Sequence, residues 1–224
     1  MSTLQRRSMV FLLFLLGPMA RADGQSGAPS RTGPRPLLDR AREIAMARSA
    51  APAHVSDSAA VYVLADSAYV EAVPGSNGVA CYVSRSWPGS LEPHCFDEEG
   101  AATVMRIQMR RTELLHRGTS DGEADRRIGA DLAAGRLRLP RRPAMSYMMS
   151  AVQVLINDAG VPAGRWQPHL MIYYPYLSQA DLGLGLPDPK TAMVAGPGTA
   201  TSSIMVVMRE FVEPVPAADT AGRR

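Results

Sequence analysis

An amino terminus built for export sets the conditions under which the rest of this chain must fold. Residues 1–9 carry Arg6 and Arg7 and no acid, residues 10–16 are an unbroken apolar run, and Ala20-Arg21-Ala22 puts small residues where a signal peptidase reads. The run is shorter than the roughly 20 apolar residues that cross a hydrocarbon core. A signal peptide over residues 1–22, cut between Ala22 and Asp23, is therefore expected in place of a membrane anchor. The Arg6-Arg7 pair invites a twin-arginine reading, but the strongly apolar core fits general secretion better, and no cysteine follows it for lipid attachment. The mature protein is expected in the periplasm or outside the cell, without a membrane span.

Export into an oxidising compartment decides the fate of Cys81 and Cys95, the only cysteines in the chain. Pairing is the default there. A bridge closing a loop of about 15 residues contributes on the order of 3 kcal/mol in the chain-entropy model, and it would staple the Ser-, Pro- and Gly-rich stretch from Ser84 to His94. The spacing matches no zinc motif.

Cleavage also changes the charge. Three of the 24 basic residues, Arg6, Arg7 and Arg21, sit in the leader, which leaves 21 against 21 acids. A near-neutral mature chain is a poor polyanion binder, so nucleic acid is not an expected partner. The local run Arg136, Arg138, Arg141 and Arg142 reads as a solvated face.

The mature length suits one domain. Residues 23–35 hold no aliphatic side chain larger than alanine and are expected to form a disordered linker. Residues 214–224 are expected to be a similar tail. Residues 36–213 then make a single domain. Within it, Pro36 to Ala50 reads as a helix with Leu37, Leu38, Ala41, Ile44, Ala45 and Arg48 on one face. Ala60 to Leu64, Tyr69 to Val73 and Val79 to Val83 read as a meander of three strands, the last pair joined by Pro74-Gly75-Ser76-Asn77-Gly78. Asp97 to Arg117 fits a strand or a helix. Ser120 and Glu123 form a capping box for a helix ending at Gly135, and Ser178 to Leu182 reads as a single helical turn. Met145 to Ile156, His169 to Tyr174 and Ser203 to Phe211 are further strands. Strands in hairpin order with two or three helices that do not alternate with them predict an α+β domain with a mostly antiparallel sheet of about six strands.

The segments EIAMARSAAP (Glu43 to Pro52), NGVACYVSRSW (Asn77 to Trp87), MSYMMS (Met145 to Ser150) and PHLMIYYPYL (Pro168 to Leu177) resemble a family of uncharacterised secreted bacterial proteins. The resemblance spans most of the mature domain, with an aromatic residue expected where Ile172 stands. It implies export and a shared fold, and it implies no activity.

Three chemical readings follow from the residues. His169 and Met171, two apart on a strand, share a face, and Met145, Tyr147 and Met149 share a face of the preceding strand. Imidazole with thioether suits Cu(I), and His/Met is also an axial haem pair, so His169, Met171 and Met149 are a candidate copper or haem site. Against this, methionine is a common filler of core gaps and no second histidine is near in sequence, so no cofactor is expected. Gly118-Thr119-Ser120-Asp121-Gly122 matches the nucleophile elbow of a serine hydrolase, with His169 as a base; that chemistry needs a strand before Ser120, where the sequence reads as helix. Asp97, Glu98 and Glu99 read as a solvated turn beside the disulfide loop. The favoured reading is a non-catalytic binding or envelope-interaction module, its partner a small ligand or an envelope protein. Its surface is expected around Tyr147, His169, Tyr173, Tyr174 and Tyr176.

Overall fold

The computed structural model describes residues 30–157, 159–183 and 192–215. The expected leader and its cleavage site, residues 23–29 of the linker and residues 216–224 of the tail lie outside the described residues. Among the described residues the domain is α+β, with one disulfide, five α-helices in place of the two or three expected, and a mixed eight-stranded sheet in place of about six strands.

The first helix, α1 (Arg40–Arg48), starts four residues later than the sequence suggested. Asp39 explains the shift: its carboxylate accepts the Ala41 and Arg42 amides, which a proline at the first turn cannot match. The buried face also differs. Glu43, Met46 and Ala47 pack inward, whereas Ala41, Ile44, Ala45 and Arg48 line a groove of about 400 Å³ that Val212 and Val215 border. A short helix, α2 (Ala53–Ser56), follows.

Strands β1 (Ala60–Ala65) and β2 (Ala68–Val73) form the expected hairpin. The third, β3 (Ala80–Ser84), does not extend it as a meander. It pairs in parallel with β1, on the side away from β2. The connection passes over the start of β1, where Ser76 N–H donates to Ser58 O and Ala60 N–H to Val79 O. Only a glycine fits this crossing, since a Cβ on Gly75 would lie 2.2 Å from the Ala60 nitrogen. The Pro-Gly-rich stretch was therefore a crossover and not a hairpin turn.

Strand β4 (Glu92–Phe96), in a stretch the sequence showed only as a stapled loop, pairs antiparallel with β3 and sets Cys81 directly opposite Cys95. The two are bonded, as expected. The ambiguous stretch resolves into α3 (Glu98–Ala102), capped by Asp97, and α4 (Val104–His116). Helix α5 (Asp121–Ala133) begins at Ser120, whose hydroxyl accepts the Glu123 amide. The expected strand from Met145 to Ile156 splits into β5 (Ala144–Met148) and β6 (Leu155–Ile156), and β6 makes a separate two-stranded ribbon with β7 (Pro162–Gly164). Then come β8 (His169–Tyr173), β9 (Ala192–Ala195) and β10 (Ser203–Val207), giving the order β2-β1-β3-β4-β5-β8-β10-β9. Between β8 and β9, Ala180–Leu182 forms the single turn, a 3-10 helix.

The helices cover the sheet unevenly. Helix α1 lies across β1, β3 and β4 on the disulfide face, α4 crosses β2 and β3 on the opposite face, and α3 backs β4 and β5. Helix α5 packs outside α4 through Ile107, Leu114, Leu115, Ala124 and Ile128. Among the described residues, the half of the sheet built from β8, β10 and β9 receives no comparable helix packing.

An ion pair sits inside this arrangement. Arg85 and Glu43 meet at 2.9 Å with side chains 0% and 1% exposed. Glu43 also accepts the Leu64 amide, and Arg85 donates to the Pro36 and Val83 carbonyls and to the Tyr69 hydroxyl. Residues 30–35 of the expected linker are held to the domain here: Arg35, buried, donates to the Arg85 carbonyl, and its amide donates to His116 Nδ1. Burial lowers the Arg35 guanidinium to about 10.

Removing one partner of a buried pair strands a charge and costs about 3–5 kcal/mol. Glu43→Gln and Arg85→Met are each expected to lower the unfolding free energy by that amount, and the double replacement by less than the sum; urea unfolding of all four forms measures it. Gly75→Ala is expected to destabilise through the collision with Ala60. By contrast Gly129→Ala, inside α5 with nothing within 4 Å of its Cβ, should stabilise by about 0.5–1 kcal/mol.

Candidate functional site

The uncovered half of the sheet borders a cavity of about 370 Å³. Its floor is one face of the strands and its side wall is α4, through Gln108, Arg111 and Thr112. The floor follows from register. Met148 pairs with His169 across β5 and β8, Ser146 with Met171, Met171 with Met205 across β8 and β10, and Met205 with Met193 across β10 and β9. On β4, Cys95 pairs with Tyr147, so one further step sets His94 level with Met148. Alternation along each strand then turns His94, Met148, His169, Met171, Met193 and Met205 to the same face, and all six line the cavity.

This geometry changes the expected site in three ways. His169 and Met171 do share a face. Met149 does not join them: β5 ends at Met148, the residue that opposes His169, and Met149 instead bonds through its backbone to Ala50 and Val212. The parity of β5 is the reverse of that expected, with Tyr147 packed on the disulfide face. A second histidine, His94, arrives from a strand the sequence did not reveal. Its signal was present in the alternation of His94 against Cys95, but Pro93 beside it argued against a central strand.

The two imidazoles are held differently. His169 Nδ1 lies 2.7 Å from the Gln167 carbonyl, which can only accept, so Nδ1 carries the proton and Nε2 keeps its lone pair. Burial lowers the His169 pKa, and the bond to Gln167 opposes that shift. His94 is stacked on Phe96 with ring centroids 5.5 Å apart, and its buried Nδ1 has no hydrogen-bond partner. Burial, aided by His169, lowers it to about 3. Both rings are neutral in neutral solution.

The other end of the cavity is polar. Glu92 accepts the Ser86 hydroxyl and amide, and its burial raises its pKa against those bonds. Arg111 is paired with Asp121 and Asp125, and Arg31 lies over the Trp87 ring. Tyr173, buried and bonded to Ser146, is raised to about 12.

The remaining candidates lie elsewhere. Ser120 caps α5 and is preceded by α4 and a turn, not by the strand a nucleophile elbow requires. The expected tyrosine surface does not assemble: Tyr147 and Tyr173 lie on opposite faces, and Tyr174 and Tyr176, 64% and 60% exposed, stand beyond the end of β8. The basic run is ion-paired, with Arg136 on Asp131, Arg138 on Glu99, and Arg142 on Glu98 and Glu99, while the Arg141 amide also donates to Glu99. Glu99 is thus a buried anchor and not part of a solvated turn. Among the described residues, no three histidines, cysteines or carboxylates gather as a metal site, and no helix is long and apolar enough to cross a membrane. Comparison with family models, with curated proteins and with solved structures finds no match to this chain.

The neutral state of His94 has a cost in acid. With a folded value near 3 against the ordinary 6.5, the unfolded chain takes up this proton first as pH falls. The contribution is whole above pH 6.5 and is lost progressively toward pH 3. Wild type is expected to lose on the order of 2–3 kcal/mol more stability than His94→Phe between pH 7 and about 4.5, by urea unfolding at both values.

Proposed function

We propose that this protein is an exported, non-catalytic binding module whose ligand site is the cavity over β4, β5, β8, β10 and β9. The observation that carries the reading is the convergence of two buried, neutral imidazoles and four thioethers on one concave face. Structural methionines need no cavity, and a core histidine needs no unbonded nitrogen. At about 370 Å³ the space falls within the range of small-ligand sites, roughly 300–1,000 Å³. The disulfide and the lack of a membrane-crossing helix among the described residues are compatible with export.

A catalytic reading has less support. A hydrolase needs an exposed nucleophile within reach of a base, and the one serine with a motif, Ser120, serves as a helix cap.

An environment-sensitive anilinonaphthalene sulfonate dye tests the reading. One molecule is expected to bind the wild-type fold with enhanced emission. Filling the cavity with Ala195→Trp should weaken that binding about tenfold or more, whereas Ala45→Trp, which fills the α1 groove, should leave it unchanged. Equal emission from wild type and Ala195→Trp would refute the cavity as the site.

A further inference from the structure

We infer that the ligand of this cavity is a soft monovalent d10 cation, Cu(I), held by His169 Nε2, His94 and the thioethers of Met148 and Met171. The inference rests on the binding reading above and names its ligand class.

The argument starts from the donors. Thioether sulfur is a soft, uncharged ligand with little affinity for hard cations, and imidazole serves metals across the series; a set of thioethers and imidazoles without thiolate or carboxylate selects Cu(I) over divalent ions. Among the described residues this donor set stands without a cluster of carboxylates to attract a divalent ion.

Placement supplies the second step. His94, Met148 and His169 occupy one row across β4, β5 and β8. Neighbouring strands lie about 4.8 Å apart, so the outer two of the three rise on either side of the middle one. Met171 enters from the next position on the same face of β8, two residues along from His169. Met148 holds the middle position of that row.

The supporting contact is the third. A metal-bound histidine usually donates its other ring N–H to a backbone carbonyl or a carboxylate, which fixes the tautomer and aims the lone pair at the metal. His169 has that bond already, from Nδ1 to the Gln167 carbonyl. His94, a residue 4% exposed that lines the same cavity, keeps a buried Nδ1 with no hydrogen-bond partner among the described residues.

The geometry also separates this ligand from haem. Axial ligands must approach the iron from opposite faces of the macrocycle, whereas His94, Met148, His169 and Met171 all rise from a single face of one sheet.

The test is anaerobic titration of the purified disulfide-bonded protein with Cu(I) against a chromogenic Cu(I) chelator, with X-ray absorption at the copper edge. One equivalent is expected, with sulfur and nitrogen both coordinated. Met148→Leu and Met171→Leu preserve side-chain volume and should each weaken binding by at least about tenfold, as should His169→Ala. Met149→Leu, outside the cavity, should leave affinity unchanged and so controls for nonspecific thioether binding. Zn(II) and haem titrations should show no stoichiometric site. Cu(I) binding that is absent, or that survives Met148→Leu with Met171→Leu, would overturn the inference. Dye binding lost in Ala195→Trp alongside absent Cu(I) binding would leave the cavity as a site for an organic ligand, so the two readings fail separately.

Discussion

The Arg85–Glu43 pair is the constraint on which the rest of the architecture is arranged. A guanidinium and a carboxylate with essentially no exposure are tolerable only where protein hydrogen bonds offset much of their lost hydration. Arg85 accordingly draws in the Pro36 carbonyl ahead of α1, the Val83 carbonyl of β3 and the Tyr69 hydroxyl of β2, while Glu43 takes the Leu64 amide of β1 beyond the stretch that β3 covers. Four segments are thereby fixed around one charge pair. The outcome is a specific placement of α1 on β1, β3 and β4, which hydrophobic contact from a helix of small residues such as Ala47 would not define on its own.

That placement has a consequence at the far end of the sheet. With α1 committed to the disulfide face of β1, β3 and β4, and α3 and α4 to the other face, the later strands β8, β10 and β9 extend the sheet past its helical cover. Side chains on the α4 face of those strands border the cavity. Methionine suits such a position because its flexible thioether tolerates partial exposure and uneven packing, and four of the residues turned to this space are methionines.

Local chemistry made part of this legible in the sequence. Ser120 with Glu123 marked the start of α5, the β1–β2 hairpin followed from alternation and a polar turn, and the cysteine pair followed from export chemistry. What failed was non-local. The run from Pro74 to Gly78 has turn composition, yet whether it closes a hairpin or crosses β1 depends on the contact between Gly75 and Ala60. The face of α1 was misassigned because Glu43 counted as polar, and its partner lies 42 residues away in the loop after β3. At the site, His169 and Met171 were legible from period-two spacing. Met149 replaced Met148 because the strand phase in a run of two adjacent methionines is set by pairing with β8, not by composition.

The two faces of β4 keep its one sulfur away from the cavity. Cys95 and His94 are neighbours in sequence, and alternation sends the sulfur to the α1 face, where it bonds Cys81, and the imidazole to the cavity. In an oxidising compartment a cysteine on the cavity face would be open to capture as a disulfide, and a thiolate ligand would be lost with it. Methionine cannot form disulfides, and burial of Met148 and Met205 at 6% exposure shields two of the four sulfurs from the oxidation that would make them polar. The sheet therefore separates its sulfurs: the disulfide holds β3 to β4 on one face, and the thioethers of β5, β8, β10 and β9 line the cavity on the other.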